Sequence, residues 1–113
     1  DGIFPQDGDI SRVVDYIEEH LAEDLLIDGL AERFGFSKYT LMHRFKEQTG
    51  FAIHHYILQK RLRKIHALIL KGYPFMEASA RCGFSDYSCF VRAFTKYYGL
   101  SPRKYYERMK SGS

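Results

Sequence analysis

The chain has 113 residues, 45% of them apolar and 16% aromatic, enough for one compact domain or two very small ones sharing a helix. No apolar run approaches the roughly 18 residues of a membrane span and no signal-peptide pattern opens the chain, so a membrane role is excluded and a cytoplasmic location is expected. The formal charge of +3 hides an asymmetry: residues 1–32 carry ten acids against Arg12 alone, a net of −9, while residues 33–113 carry 16 bases against Glu47, Glu77, Asp86 and Glu107, a net of +12. A body this basic suits a polyanion, and such a division points towards nucleic acid. The first residue is Asp1 and not Met, which leads us to expect a piece of a longer protein. Cys82 and Cys89 have neither the secreted context of a disulfide framework nor, with His54 and His55, the spacing of a zinc site, so two reduced structural thiols, no metal and no cofactor are expected.

Helical periodicity dominates and sustained strand alternation is absent. Ile10, Val13, Val14, Ile17 and Leu21 form one stripe, with Asp9 as its expected N-cap. A short second helix is predicted near Ile27–Phe34, stopped by Gly35. Ser37 is set to cap a third that runs to about Gln48 and ends at Gly50. Residues 52–71 read as one long helix, stopped by Gly72. Pro74 opens a fifth helix that Gly83 ends, Ser85 is the expected cap of a sixth reaching Gly99, and Ser101-Pro102 opens a seventh.

The pattern occurs twice. Gly35-Phe36-Ser37-Lys38-Tyr39-Thr40 returns 48 residues later as Gly83-Phe84-Ser85-Asp86-Tyr87-Ser88. With one residue inserted, Leu41-Met42-His43-Arg44-Phe45 matches Phe90-Val91-Arg92-Ala93-Phe94 at an offset of 49, and Gly50, Phe51 and Tyr56 meet Gly99, Leu100 and Tyr105 at that same offset. A glycine turn between two short helices, the second one capped, is the helix-turn-helix pattern. The fold class is therefore expected to be all-α. Two helix-turn-helix subdomains, residues 1–50 and 73–113, would be joined by a long linker helix, 51–72, making about seven helices.

These residues resemble the DNA-binding domain of the AraC/XylS family of bacterial transcription regulators, from about Ile10 to Tyr106. The most specific part is Gly83-Phe84-Ser85-Asp86-Tyr87-Ser88-Cys89-Phe90-Val91-Arg92-Ala93-Phe94, followed by Tyr98-Gly99-Leu100-Ser101-Pro102 and Tyr105; Tyr56-Ile57 with Arg61-Leu62 resembles the start of the family's linker helix. Leu26 and Ala52 stand where the family usually places a capping Ser or Thr, Gly29 interrupts the second helix, Ser79 replaces an Ala at a close helix contact, and Tyr106 replaces an Arg. Each lost cap costs about 1 kcal/mol and Gly29 up to about 1 kcal/mol, penalties on stability that leave the recognition faces untouched.

The resemblance implies sequence-specific binding of double-stranded promoter DNA, with recognition helices at about 38–48 and 86–97 in adjacent major grooves. Successive grooves on one DNA face lie about 34 Å apart, and a linker helix of about 20 residues is roughly 30 Å long, so one chain is expected to span both. The resemblance places base contacts at Tyr39, Met42 and His43 in the first unit and at Tyr87, Ser88, Val91 and Arg92 in the second. The alternatives are a partly buried, gap-filling Met42, a plain surface His43, a Tyr39 folded onto its own helix, and an Arg92 that clamps phosphate or pairs with Asp86, which at two turns back is poorly placed to meet it. Arg92 has the best chemistry for a bidentate contact to guanine, and Val91 offers an apolar surface to a thymine methyl. Phosphate contacts are expected from Lys38, Arg44, Lys46, Lys96, Arg103 and Lys104. Of the linker cluster Lys60, Arg61, Arg63 and Lys64, helical geometry lets at most two face DNA. The acidic first helix is either a solvated face or a surface for RNA polymerase or for a ligand-binding or dimerisation domain outside this chain. A helical protein-interaction domain using that acidic helix is the competing reading. An enzyme is not expected, since no nucleophile, base and acid are organised together and His20, His43, His54, His55 and His66 have no evident partners.

Overall fold

The first helix, α1 (Gln6–Glu19), turns Ile10, Val13 and Ile17 inward, all buried, and Leu21 is buried just beyond its end. The structure, a computed structural model, describes residues 6–111, so Asp1 lies outside the described residues. The helix starts at Gln6, so Asp9 lies inside it and does not cap it. A carboxylate near the N-terminal end still favours the helix dipole there.

α2 (Ile27–Phe34) is too short to be stable alone. Its N-cap, Leu26, has an extended backbone and no side-chain cap bond, as its apolar character dictates. Burial of Ile27, Leu30 and Ala31 holds it instead. Gly35 stops it in the left-handed region, φ 76°, which lets the Phe36 N–H reach back to the Ala31 carbonyl at 2.9 Å. α3 (Lys38–Thr49) follows at once, and its Leu41 and Phe45 close the core against Ile53 and Ile57 of α4 (Ile53–Leu70), with Phe36 half-buried at the edge. At the start of α4 only the backbone of Ala52 takes part, accepting the Tyr56 N–H at 2.9 Å.

One compact unit ends at Lys60 and another begins at Arg61, the change falling inside α4. The second unit buries Leu62 and Ile65 of α4, Ala78, Ser79 and Cys82 of and just after α5 (Phe75–Arg81), and Phe90 and Phe94 of α6 (Tyr87–Tyr98). Ser79 keeps its hydroxyl satisfied by donating to the Met76 carbonyl at 3.0 Å. α7 (Pro102–Ser111) completes this unit with an aromatic cluster in which Phe94 meets Tyr98 at 4.5 Å and Tyr105 edge-on at 5.3 Å. Each such pair contributes about 0.5–1.5 kcal/mol beyond area burial. No strand occurs among the described residues, and no helix there is long and apolar enough to cross a membrane.

The inserted residue of the repeat lies elsewhere than expected. Phe84 N–H reaches the Ser79 carbonyl as Phe36 N–H reaches that of Ala31, so the 48-residue offset holds through Phe84. The N-cap of α6 is then Asp86, whose carboxylate accepts the Cys89 N–H at 2.8 Å, and not Ser85. Ser85 is the extra residue, and from the cap onward the units correspond at 49: Ser37 with Asp86, Leu41 with Phe90, Phe45 with Phe94.

Candidate nucleic-acid interface

A helix that reads a groove must bury one face and keep the other free, and α3 and α6 both do. In α3 the Ser37 hydroxyl accepts the Thr40 N–H at 3.1 Å, which fixes the first turn. Leu41 and Phe45 face inward, while Lys38, Tyr39, Met42, His43 and Lys46 are exposed. Tyr39 is 76% exposed and Met42 40%, high for side chains that gain from burial. Tyr39 lies along its own helix, its ring stacked on His43 at 5.8 Å. In α6, Ser88 and Arg92 are exposed, Val91 is half-buried, and Tyr87 is half-buried with its ring 5.7 Å from that of Phe90. At the 49-residue offset Ser88, Val91 and Arg92 take the places of Tyr39, Met42 and His43, and Tyr87 takes that of Lys38.

Arg92 has no carboxylate partner among the described residues; its Nη2 lies 3.5 Å from the Cys89 sulfur, and Asp86 uses its carboxylate for the cap. Of the expected phosphate contacts, Lys38, Lys46, Lys96, Arg103 and Lys104 are exposed. Lys38 comes within 3.7 Å of Asp28, but both are so exposed that water weakens the pair. Arg44 is half-buried with its guanidinium 5.8 Å from the centre of the Phe36 ring. Arg103 and Lys104 occupy the first turn of α7, where the Ser101 hydroxyl accepts the Lys104 N–H at 3.3 Å. In the linker cluster Lys60 is engaged by Glu18 at 3.4 Å and lies over the Tyr56 ring, while the Tyr56 hydroxyl donates to the same carboxylate; Arg63 and Lys64 are exposed.

A groove of about 600 Å³ runs along the outer face of α3, with Tyr39, Met42, His43 and Lys46 on one wall and Ala52 and His54 at the start of α4 on the other. The sequence offered His54 no role in DNA binding. The repeat, which runs past Gly50 to Tyr56, pairs it with Arg103 at the same offset.

His20 and His66 each have a hydrogen-bond partner. The His20 Nδ1 lies 2.7 Å from the Tyr16 carbonyl with the two rings stacked, and the His66 Nδ1 lies 2.7 Å from the Tyr106 hydroxyl. Tyr106 therefore replaces an arginine with a packed, hydrogen-bonded ring, and its burial pushes the phenol up to about 12. Burial likewise raises the Tyr98 phenol and the Cys82 thiol, the latter against the pull of Lys64, Arg61 and Arg81. A raised thiol stays protonated and poorly nucleophilic. Cys82 and Cys89 are both free thiols, and among the described residues no group of three or more His, Cys, Asp or Glu is placed to hold a metal ion.

Two short capped helices with free outer faces, each behind a glycine turn and a companion helix, define a double helix-turn-helix DNA-binding module. The chain belongs to the AraC/XylS family of helix-turn-helix transcription regulators. A family model described as a helix-turn-helix domain matches residues 30–108. The multiple antibiotic resistance protein MarA of Escherichia coli K12 is 31% identical over 97 residues, covering 85% of this chain and 76% of that protein. Among solved structures, the C-terminal domain of AraT, a response regulator from Geobacillus stearothermophilus, aligns with a TM-score of 0.81 at 28% identity over 93% of this chain and 86% of that one. The DNA-binding domain of AdpA, a global transcriptional factor solved in complex with a target DNA, aligns with a TM-score of 0.79 at 29% identity over 89% and 94%. The family is one of DNA-binding transcription regulators, which are not enzymes.

Proposed function

We propose that this chain reads double-stranded promoter DNA by placing α3 and α6 in neighbouring major grooves. The observation that carries the reading is the shared register of the two helices: cap, buried apolar face, exposed outer face and glycine stop recur at one offset. Tyr39, Met42 and His43 would meet base edges in the first unit and Ser88, Val91 and Arg92 in the second, with Tyr87 at the groove edge where Lys38 stands in α3. Lys38, Arg44, Lys46, Lys96, Arg103 and Lys104 would meet phosphates, aided by the N–H groups of helix starts. The exposed carboxylates of α1, such as Asp15 and Glu19, offer RNA polymerase or a regulatory domain an acidic surface, and the working compartment would be the cytoplasm.

Selection of bound sequences from a random duplex pool, followed by salt titration on the selected site, tests the reading. A defined consensus, and an affinity that falls steeply with salt through counterion release, is the expected result. Weak binding to every duplex at low salt would favour a protein-interaction domain instead.

A further inference from the structure

The correspondence between the two units does not stop at their recognition helices. α3 and α6 each close on a left-handed glycine, Gly50 and Gly99, whose N–H donates at 2.8 Å to the carbonyl of Lys46 and of Thr95 respectively. α4 and α7 then begin on buried residues, Ile53 and Pro102. Three residues further on, Tyr56 meets Phe45 edge-on at 5.4 Å and Tyr105 meets Phe94 edge-on at 5.3 Å. Every one of these pairs is 49 residues apart, and the same offset sets His54 on Arg103. Each therefore occupies the same place beside its own recognition helix. Arg103 carries a permanent charge there, whereas an imidazole gains and loses its charge between about pH 5 and 8.

We propose that His54 is the first unit's counterpart of Arg103, a phosphate contact that works only when protonated, so that DNA affinity rises as pH falls. This rests on the DNA-binding reading. His54 is exposed, and its wall of the groove faces Tyr39, His43, Lys46 and Glu47 of α3. Lys46 opposes a second positive charge there and Glu47 favours it. The neighbouring His55 stacks on Phe51 at 5.8 Å. A DNA phosphate brought against this wall adds negative charge that draws a proton onto the imidazole, and by linkage the proton strengthens the contact. The phosphodiester keeps its charge over this range, so the pH response resides in the protein.

The test is the affinity for one fixed duplex at pH 6 and pH 8, each over a salt series, for the wild type, H54Q, H54K, H43Q and H55Q. The wild type is expected to bind about three- to tenfold tighter at pH 6, with a salt slope steeper by about 0.9, the value of one added phosphate contact. H54Q should lose most of that gain in affinity and slope. H54K should show the steeper slope already at pH 8, and H55Q should keep the wild-type response. An undiminished gain in H54Q, or its transfer to H43Q or H55Q, overturns the proposal while leaving DNA binding intact. Absence of duplex binding by the wild type at both pH values overturns the DNA-binding reading and this proposal together.

Discussion

The Asp86 carboxylate accepts the Cys89 N–H at 2.8 Å, the bond that Ser37 makes to Thr40 in the first unit. It decides where the second recognition helix begins and therefore which side chains face outward. Ser85 caps nothing, because the burial of Phe90 and Phe94 fixes the register of α6 and leaves Asp86 at the cap. Asp86→Ala should lower stability by about 1 kcal/mol, whereas Ser85→Ala, at an exposed site outside the helix, should stay within about 0.5 kcal/mol. Urea unfolding of both variants checks this. Equal losses, or a larger one for Ser85, would return the cap to the serine.

Gly29 is the third residue of α2, and a Cβ built on it meets nothing within 4 Å. Glycine in a helix interior costs up to about 1 kcal/mol relative to alanine, mostly through the unfolded chain's freedom. Gly29→Ala should therefore stabilise the chain by about 0.5–1 kcal/mol and raise the Tm by a few degrees. A thermal melt that moves downward would mean that the added methyl disturbs α2 packing after all.

What the sequence made legible was local. Gly35, Gly50 and Gly99 each stop a helix in the left-handed region, a conformation that few other residues enter, so these three ends could be read one residue at a time. The stripe from Ile10 to Leu21 was legible for the same reason: burial repeats with the helix period. The start of α1 was not, because Asp9 resembles a cap while Gln6 carries no start signal. Ser85 and Asp86 are adjacent and nearly equal as caps, so only the packing of Phe90 could choose between them. The groove residue His54 escaped because resemblance directs attention to the recognition helix, and His54 belongs to the next one. The His66–Tyr106 pair joins residues 40 apart in sequence, and no local pattern announces it.

That pair makes a further measurable difference. At neutral pH, Tyr106→Phe removes a hydrogen bond to His66 and should cost about 0.5–1.5 kcal/mol. At high pH the difference between the two proteins should shrink. The folded chain holds the Tyr106 proton up to about 12, against 10.0 for a free phenol, so the unfolded chain releases it first. The stability this provides is complete below pH 10 and is lost as pH rises towards 12. Burial is the cause, and solvent screening at a half-buried ring limits the loss to about 1 kcal/mol. Urea midpoints between pH 9 and pH 12 should fall less for Tyr106→Phe than for the wild type, though Tyr98, raised in the same direction, keeps part of the slope. Parallel curves for the two proteins would remove Tyr106 as a source.

The sharpest discrimination between bases is expected from the second unit. Arg92 is the only arginine at the three matched outer positions of the two helices, since Tyr39, Met42 and His43 correspond at the 49-residue offset to Ser88, Val91 and Arg92. It is exposed and has no carboxylate partner among the described residues, so its guanidinium need break no ion pair to reach a base. A bidentate contact to the O6 and N7 of guanine discriminates by roughly 1–3 kcal/mol, and Arg92→Ala should relax the preference at one guanine-containing step by about tenfold or more. Met42→Ala should cost less and act mainly where a thymine methyl lies. Lys104→Ala should weaken specific and random DNA by similar factors and flatten the salt slope, because a phosphate contact carries no base information. Binding to every single-base variant of the selected site, measured for the wild type and the three mutants, separates these outcomes. Uniform loss of affinity in the Arg92 mutant with an unchanged base profile would make Arg92 a phosphate anchor. Specificity would then have to come from α3 or from the shape of the DNA.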